Sequence, residues 1–202
     1  MTPRYSETDK KQAMADVRRR LMKAATQEFA QKGYDGANVN TISLNAGFAK
    51  GTIYNYFPSK MELMSAILEE SGSAHFGFIA ERIRKEADPI LRVKRFFEAG
   101  FEFVEDDPAR AQVLVSTLYS TYAEFKVPLY QVYQPMFQLV AEEILTPGII
   151  QGVFRQMEPA GTSNMIMTFY LGTASSVDES GKPQLDPGEV AAFVLNAIRN
   201  DQ

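Results

Sequence analysis

The stretch that decides the fold is AGFAKGTIYNYFPSK, residues 46–60. It opens on a glycine turn and closes at a proline, so a short helix between them is predicted over residues 50–56. Successive side chains of a helix are about 100° apart, which places Ala49, Ile53, Tyr56 and Phe57 on one face. Gly51, Tyr54 and Asn55 fall on the opposite face, flanked by Lys50 and Thr52. We therefore expect one side of this helix to pack against the protein and the other to be free.

Two further helices are predicted before this stretch. The first carries an apolar stripe at steps of three and four residues and stops near Gly33. The members of that stripe are Met14, Val17, Leu21, Ala24, Ala25 and Phe29. A short second helix runs over residues 38–46 and breaks at Gly47. Two short helices joined by a glycine turn beneath a longer one are typical of a helix-turn-helix unit, whose second helix lies in the DNA major groove.

Capping signals in the rest of the chain predict a series of further helices. Ser59 and Glu62 form a capping box, and Asp-Pro pairs occur at 88–89, 107–108 and 186–187. The predicted helices are 59–86, 89–105, 108–123, 128–156, 162–177 and 187–199. Strand-like alternation is nearly missing, so we predict an all-α protein with a three-helix N-terminal domain and a C-terminal helical bundle. We expect the boundary after residue 58, with residues 1–13 as a disordered arm.

Charge is unevenly distributed along the 202 residues. The net charge is -4, yet residues 1–62 carry ten Lys or Arg against six Asp or Glu, whereas residues 63–202 carry eleven against nineteen. A basic module on an acidic chain is suited to holding a polyanion at one end. This distribution favours nucleic acid as the partner of the N-terminal domain.

Several function classes find no support in the composition. Cysteine is absent and histidine occurs once, which excludes disulfides, thiolate metal sites and a histidine metal cluster. Neither a glycine-rich phosphate loop nor a nucleophile elbow is present, so we expect no enzyme activity, no cofactor and no metal. A long apolar run and a leader pattern are missing as well, so we expect a cytoplasmic protein without a membrane partner.

Here the sequence resembles a known family. Gly33-Tyr34, Asn38 to Ile42 and the stretch 46–60 are similar, in order and spacing, to the DNA-binding signature of the TetR family of transcriptional regulators. The resemblance implies DNA contacts at the recognition helix, at the start of the helix before it and at the start of the helix after it. These positions correspond here to Asn38, Asn40, Lys50, Gly51, Thr52, Tyr54, Asn55 and Lys60. The chain departs from the family pattern at Ala49, where a capping serine is common.

Chemistry suggests a role for several of these residues. Lys50 suits guanine acceptors, and Thr52 suits a base edge or a phosphate. Tyr54 and Asn55 suit phosphates, as does Lys60 at the positive end of its helix. For Arg18 to Arg20 two interpretations stay open, namely a solvated helix face or phosphate contact.

The resemblance also implies a ligand pocket among the helices between residues 60 and 157, and a dimer interface made by the last two helices. Candidate pocket residues are His75, Phe97, Phe101, Tyr119, Tyr122, Tyr133 and Phe137. Candidate interface residues are Met165, Ile166, Phe169, Tyr170, Val190, Phe193, Val194 and Ala197. For any single aromatic residue, ordinary core packing is the competing interpretation.

The function we expect is that of a homodimeric repressor, released from a palindromic DNA operator by a small apolar or aromatic effector. An alternative is a helical protein-interaction module whose helix-turn-helix does not bind DNA. Binding to random genomic DNA fragments discriminates between the two.

Overall fold

The computed structural model describes residues 7–179 and 181–200. Within these ranges the chain forms helices and no named strand, which confirms the all-α prediction. The elements in order are α1 Glu7–Gly36, α2 Val39–Asn45, a 3₁₀ helix Thr52–Asn55, α3 Lys60–Ile83, α4 Pro89–Asp106, α5 Pro108–Leu118, α6 Ala123–Gln138, a π-helical segment Leu139–Leu145, α7 Thr146–Ile150, α8 Pro159–Ala174 and α9 Pro187–Ile198.

The described residues divide into two compact units, called the head up to Leu68 and the body from Glu69 onward. The division falls inside α3, later than the boundary predicted after residue 58. Proline and capping signals mark where a helix begins, and they carry no information about where its packing partners change. Helix α3 therefore starts in one unit and ends in the other.

The head has an apolar core built from α1, α2, the 3₁₀ helix and the start of α3. Its buried side chains include Leu21, Ala25, Phe29, Ile42, Ile53, Phe57, Leu63 and Met64. Met14, predicted to belong to the same stripe, is exposed instead. Gly33 breaks the regular helix with a φ of 67°, as its place in the sequence predicted, and one further turn follows to Gly36.

The predicted disordered arm, residues 1–13, is helical from Glu7 onward, and residues 1–6 lie outside the described residues. Between positions 7 and 32 the chain has neither glycine nor proline, so nothing interrupts the helix. Glu7 and Asp9 in the first turn also carry the charge that the positive end of a helix favours.

The predicted helix caps are confirmed. The Ser59 hydroxyl accepts from the amide of Glu62 at 3.1 Å. The carboxylates of Asp88, Asp107 and Asp186 each accept from an amide in the first turn of α4, α5 and α9, at 2.7, 3.2 and 2.9 Å. Each cap replaces a hydrogen bond that the first turn of a helix cannot make internally.

Several helix bounds in the body differ from prediction. Helix α3 ends at Ile83, α5 ends at Leu118, and α8 runs Pro159–Ala174 rather than 162–177. The start of α8 is set by Glu158, whose side chain accepts from the amides of Ala160 and Gly161. A glutamate before a proline is a weaker capping signal than an aspartate, so the sequence predicts this start too late.

The predicted helix 128–156 is a continuous helical run from Ala123 to Ile150 that contains the π-helical segment. Pro147 has no amide hydrogen, so the carbonyl of Glu143, four residues earlier, loses its regular helical partner. Arg92 replaces that partner, since its Nη1 donates to the Glu143 carbonyl at 2.5 Å. Arg84 also forms an ion pair with the Glu143 carboxylate at 2.7 Å, so the guanidinium groups of Arg84 and Arg92 both contact Glu143.

Aromatic side chains fill the body interior. Phe96, Phe97, Phe125, Phe154 and Tyr170 are among the largest fully buried residues. Tyr170 of α8 reaches deep because Gly100 of α4 leaves room for it: a Cβ at Gly100 would lie 2.3 Å from Tyr170 Cε2 and 2.5 Å from Oη. This glycine decides how closely the two helices approach at that point.

Candidate DNA-binding surface and body cavity

Residues 50–55, called the recognition turn, contain a shorter helix than predicted. The helix expected over residues 50–56 is a single 3₁₀ turn, Thr52–Asn55. Gly51 has a φ of 84°, a left-handed conformation that a right-handed helix cannot contain. Lys50 therefore lies on the turn before the helix rather than within it.

The two sides of this element differ in burial. Ile53 and Phe57 are buried in the head core, and the amide of Ile53 donates to the buried Ser43 hydroxyl at 3.4 Å. Tyr54 is 50% exposed, Lys50 and Asn55 are exposed, and Thr52 is half-buried. Ala49, placed on the packed face by helical spacing, is exposed because the helix does not extend that far. The head thus presents an ammonium, a phenol and an amide on one short outward segment.

Asn38 has a structural role at the start of α2. Its Oδ1 accepts from the amides of Asn40 at 2.9 Å and Thr41 at 3.3 Å, so the side-chain oxygen is the N-cap. The side-chain NH₂ group of Asn38 is then the part suited to an acceptor such as a phosphate. Asn40 is exposed on the first turn of the same helix.

Lys60 is held by the head itself. Its Nζ donates to the backbone carbonyl of Asp35 at 3.0 Å and lies 5.0 Å from the centre of the Tyr34 ring. This contact joins the start of α3 to the end of α1. An ammonium has three donors, so a phosphate contact is compatible with this position.

Among the three consecutive arginines, Arg20 braces the helix-turn-helix. Its Nη2 donates to the Ala46 carbonyl at 2.7 Å, and the guanidinium lies 4.7 Å from the centre of the Phe48 ring. Gly47 gives it room, because a Cβ there would lie 2.6 Å from that Nη2. Arg19 pairs with Asp16 on the surface, and Arg18 lies 5.2 Å from the centre of the Phe57 ring.

Glu28 is a structural residue that the sequence reasoning missed. It is buried, and its Oε1 accepts from Lys32 Nζ at 2.8 Å and from the Asn38 amide at 3.2 Å. The hydrogen bond from Lys32 holds the pKa of this carboxyl below its usual value. Glu28 thereby fixes the N-terminus of α2 against α1. The signal in the sequence was a Glu–Lys pair at four-residue spacing inside the apolar stripe of α1.

The body contains a cavity of about 280 Å³ bordered by α5, α6 and α8. Its lining residues are Thr117, Leu118, Lys126, Leu129, Tyr130, Tyr133, Phe137 and Leu171. A second cavity of about 20 Å³ lies beside His75, and Tyr133 and Leu171 line both spaces. Tyr133, Phe137 and His75 were predicted pocket residues, and the structure places all three at these cavities.

The other four predicted pocket residues line neither of these two cavities. Phe97 and Phe101 are buried in α4, where Phe97 packs edge-on against Tyr170 at 6.2 Å between ring centres. Tyr119 follows the end of α5 and is exposed, and Tyr122 is half-buried before α6. Helical spacing identifies aromatic residues but does not distinguish core packing from a cavity wall, which depends on residues from other helices.

His75 forms a buried polar cluster with two tyrosines. Its Nε2 is 2.7 Å from Tyr170 Oη, its ring stacks on Phe103 at 4.4 Å, and Tyr133 meets it edge-on at 5.9 Å. Burial lowers the pKa of His75 to about 3 and raises the pKa of Tyr133. The imidazole is therefore neutral at physiological pH. Its Nδ1 has no hydrogen-bond partner among the described residues.

The predicted dimer residues fall into two groups. Met165 is 71% exposed, Phe193 is 66% exposed, Ala197 is exposed, and the half-buried Phe169 stacks on Phe193 at 5.3 Å between ring centres. By contrast, the core of the body contains four of the predicted residues, namely Ile166, Tyr170, Val190 and Val194. Each of the two helices has one face toward its own core, so only the first group, called the outward face, is available to a partner.

The described residues lack two other kinds of functional feature. No group of three or more His, Asp and Glu side chains in those ranges is arranged to hold a metal ion. No helix there combines the length and the apolar character needed to cross a bilayer.

Comparison with known proteins gives similarities over the head and over larger parts of the chain. The family model described as "Bacterial regulatory proteins, tetR family" matches residues 21–67. The transcriptional activator FasR of Mycolicibacterium smegmatis is 29% identical over 133 residues, which are 63% of this chain and 61% of FasR. The transcriptional repressor KstR2 of Mycobacterium tuberculosis is 24% identical over 135 residues, covering 67% of this chain and 68% of KstR2. The chain thus spans about two thirds of the length of these relatives.

Among solved structures, the transcriptional regulator FadR from Bacillus subtilis in complex with stearoyl-CoA superposes with a TM-score of 0.76. The superposition covers 88% of this chain and 95% of FadR at 22% identity, which shows a common fold. The matched family segment contains the braced helix-turn-helix and the outward recognition turn described above. Residues 21–67 are therefore similar to the TetR family of bacterial regulatory proteins, and the fold over 88% of the chain is shared with FadR.

Proposed function

We propose that this protein is a ligand-responsive transcriptional regulator that binds operator DNA with its head and a small molecule with its body. The observation that carries the proposal is the recognition turn, where Lys50, Tyr54 and Asn55 are exposed above the buried Ile53. An apolar anchor beneath polar groups holds those groups at a fixed position for base edges and phosphates.

On this proposal the head contacts DNA through three short segments. Lys50 reads guanine acceptors and Thr52 contacts a base edge or a phosphate, while Tyr54 and Asn55 bind phosphates. Gly51 permits close approach of the backbone. The start of α2 adds the Asn38 NH₂ group and Asn40, and Lys60 contributes positive charge at the start of α3.

The active species is a homodimer that uses the outward face. Met165, Phe169, Phe193 and Ala197 place apolar side chains on the surface of α8 and α9, which supports pairing of the two helices with the same helices of a second copy. A two-fold dimer fits a palindromic operator whose half-sites are about 34 Å apart.

The effector is a small molecule with a substantial apolar part. Support comes from the 280 Å³ cavity, whose wall is formed mainly by Leu and aromatic side chains. FadR, a structural neighbour, binds stearoyl-CoA, which agrees with an apolar ligand in this fold. We propose repression, with release of the operator when the effector binds and shifts α3, the helix that begins in the head and continues into the body.

The protein acts by binding rather than by catalysis, and we place it in the cytoplasm, where it has access to DNA. The first test is selection of bound sequences from random genomic fragments, followed by fluorescence anisotropy with the selected DNA. We expect a palindromic sequence and an affinity that falls steeply with salt. Binding without sequence preference or salt dependence would instead support a protein-interaction module.

The outward face has a separate test by sedimentation equilibrium. Phe193→Asp places a charge in the proposed interface and should convert the dimer to monomers. Ile150→Asp makes the same kind of change at a residue of α7 that is 79% exposed and lies outside the outward face, and it should leave the dimer intact. Equal behaviour of the two variants would contradict this interface.

A further inference from the structure

The buried His75 has one hydrogen bond too few. The histidine is 3% exposed, and its Nε2 is hydrogen-bonded to Tyr170 Oη at 2.7 Å. Its Nδ1 has no hydrogen-bond partner among the described residues. Buried polar atoms are nearly always hydrogen-bonded, and an exception calls for an explanation, of which a functional role is one. His75 is also one of the residues that line the small cavity of about 20 Å³.

The hydrogen bond to Tyr170 fixes the chemistry of the free nitrogen. A phenol is most effective as a donor, and its hydrogen-bond partner within the described part of the chain is His75 Nε2. We therefore assign the hydroxyl proton to the Tyr170–Nε2 bond. A neutral imidazole with Nε2 as acceptor carries its own proton on Nδ1, so the unsatisfied group is an N–H donor.

The cavities show how an acceptor reaches this donor. The space beside His75 is about 20 Å³, which is enough for one oxygen atom but not for a whole ligand. It shares Tyr133 and Leu171 with the wall of the 280 Å³ cavity. A cavity of about 150 Å³ accommodates benzene, so the larger one is suited to about two fused rings. The two cavities are therefore neighbours, with Tyr133 and Leu171 between a molecule in the larger one and His75.

Charge decides which kind of oxygen fits. Burial lowers the pKa of His75 to about 3, so the ring offers a neutral donor and no positive charge. A carboxylate moved into such a place would lose its hydration without gaining a counter-ion, whereas a ketone or ester oxygen loses much less. The charged residue on the wall of the larger cavity, Lys126, is exposed and does not line the small one.

We propose that the effector of this protein is an uncharged carbonyl compound with an apolar body of about two rings, whose carbonyl oxygen accepts a hydrogen bond from His75 Nδ1. This inference rests on the proposed function, since it names the ligand class of the same body cavity. It assigns the recognition of the ligand's polar atom to the single histidine of the chain.

Three probes of nearly equal shape test the proposal on the full-length protein. They are 2-acetylnaphthalene, 2-ethylnaphthalene, which lacks the oxygen, and 2-naphthoate, which carries a charge. By calorimetric titration the ketone should bind about tenfold more tightly than the hydrocarbon and at least about tenfold more tightly than the carboxylate. His75→Phe should remove the preference for the ketone over the hydrocarbon, because Phe keeps the ring and lacks the donor.

Nuclear magnetic resonance gives a second readout. It uses the wild-type protein and therefore does not depend on whether a variant folds. With ¹⁵N-labelled histidine the chain has one imidazole, so its two ring nitrogens are assigned without ambiguity. The Nδ1 resonance should identify a protonated nitrogen and should shift when the ketone binds, but not when the hydrocarbon binds. An unprotonated Nδ1, an unchanged Nδ1 shift with bound ketone, equal affinities for the three probes, or no binding of any probe would each overturn the proposal.

These titrations contain no DNA, so their outcome is separate from that of the proposed function. A protein that prefers the ketone but selects no DNA sequence would support the ligand site and contradict the regulator. A protein that selects a DNA sequence but shows no ketone preference would support the regulator and contradict this ligand class.

Discussion

The head and the body place their polar groups in opposite ways. In the head, charged and polar side chains from one short segment lie on the surface above an apolar anchor, and buried polar residues such as Glu28 serve as braces. In the body, aromatic residues from several helices enclose one buried polar cluster at His75. A surface that binds a polyanion needs exposed charge, whereas a cavity that selects a small molecule needs few polar groups in dry surroundings. The two regions are therefore sensitive to different perturbations.

The largest expected effect is on DNA binding by the head. The double variant Lys50→Ala/Tyr54→Ala should weaken binding to the selected DNA about 100-fold, because it removes the proposed base-reading group and one proposed phosphate contact. It should also make the salt dependence shallower. Fluorescence anisotropy at several salt concentrations measures both quantities.

Lys94→Ala is the matched control for charge, because Lys94 is exposed on α4 in the body. It should leave DNA affinity within about twofold. Equal losses in Lys94→Ala and in the double variant would show that net charge, rather than the recognition turn, sets the affinity.

The next effect is on packing in the body. Gly100→Ala forces a methyl group against the Tyr170 ring, since the new Cβ would lie 2.3 Å from Cε2. Overpacking of this kind lowers the free energy of unfolding by about 1–3 kcal/mol. Urea denaturation followed by circular dichroism measures the change.

Gly77→Ala is the control for a glycine in a helix. Gly77 of α3 is exposed and has nothing within 4 Å of a new Cβ, so alanine there should raise the free energy of unfolding by about 0.5–1 kcal/mol. The two substitutions should therefore have opposite signs. A stabilising Gly100→Ala would mean that Tyr170 is not held against α4.

The third prediction concerns pH and His75. Its folded pKa is about 3 against 6.5 for the exposed group, so between these values the unfolded chain binds a proton that the folded chain does not. Stability is then fully present above pH 6.5 and falls as the pH is lowered, by about 2 kcal/mol at pH 5 from this residue.

Urea unfolding at pH 7.5 and pH 5.0 should show this loss in the wild type and a loss smaller by about 2 kcal/mol in His75→Phe. Both pH values lie above the usual pKa of carboxyl groups, which limits their contribution. The same pH dependence in both proteins would show that the histidine is accessible to protons in the folded state.

The smallest expected effect tests the brace in the head. Arg20→Ala removes the hydrogen bond to the Ala46 carbonyl and should lower the free energy of unfolding by about 1 kcal/mol. Arg19→Ala removes a pair with Asp16 whose arginine side chain is 77% exposed, so the change should be close to zero. Similar values for the two variants in urea denaturation would place Arg20 among ordinary surface residues.

Prediction from the sequence was more complete for the head than for the body. The residues of the recognition turn are consecutive, so spacing alone separated Ile53 and Phe57 from Tyr54 and Asn55. Even there, the left-handed Gly51 shortened the predicted helix, because a glycine in sequence does not reveal its own φ. Lys60 and Arg20 obtained their partners from segments about 25 residues away, which no local pattern records.

In the body, local patterns found the helix caps but did not separate cavity from core. The 280 Å³ cavity combines residues of α5, α6 and α8, and Phe97 and Phe101 have the same helical spacing as residues that line it. Tyr170 and Val194, predicted to face a partner, lie instead in the core. On an amphipathic helix the sequence identifies the apolar positions, but it does not say whether each meets its own core or a second subunit.

By itself the sequence determined the all-α architecture, the capped helix starts after Ser59, Asp88, Asp107 and Asp186, the basic character of the N-terminal part and the resemblance of the recognition segment to the TetR family. These features depend on short-range rules: capping, periodicity and charge within a few turns of one another. Only the tertiary structure decided that Glu28 and Arg20 brace the helix-turn-helix. It also decided that His75 is buried at a small cavity, with an Nδ1 that has no partner in the described part of the chain. Those outcomes depend on which distant residues are brought together, because burial and hydrogen-bond satisfaction are properties of packed surroundings rather than of a segment.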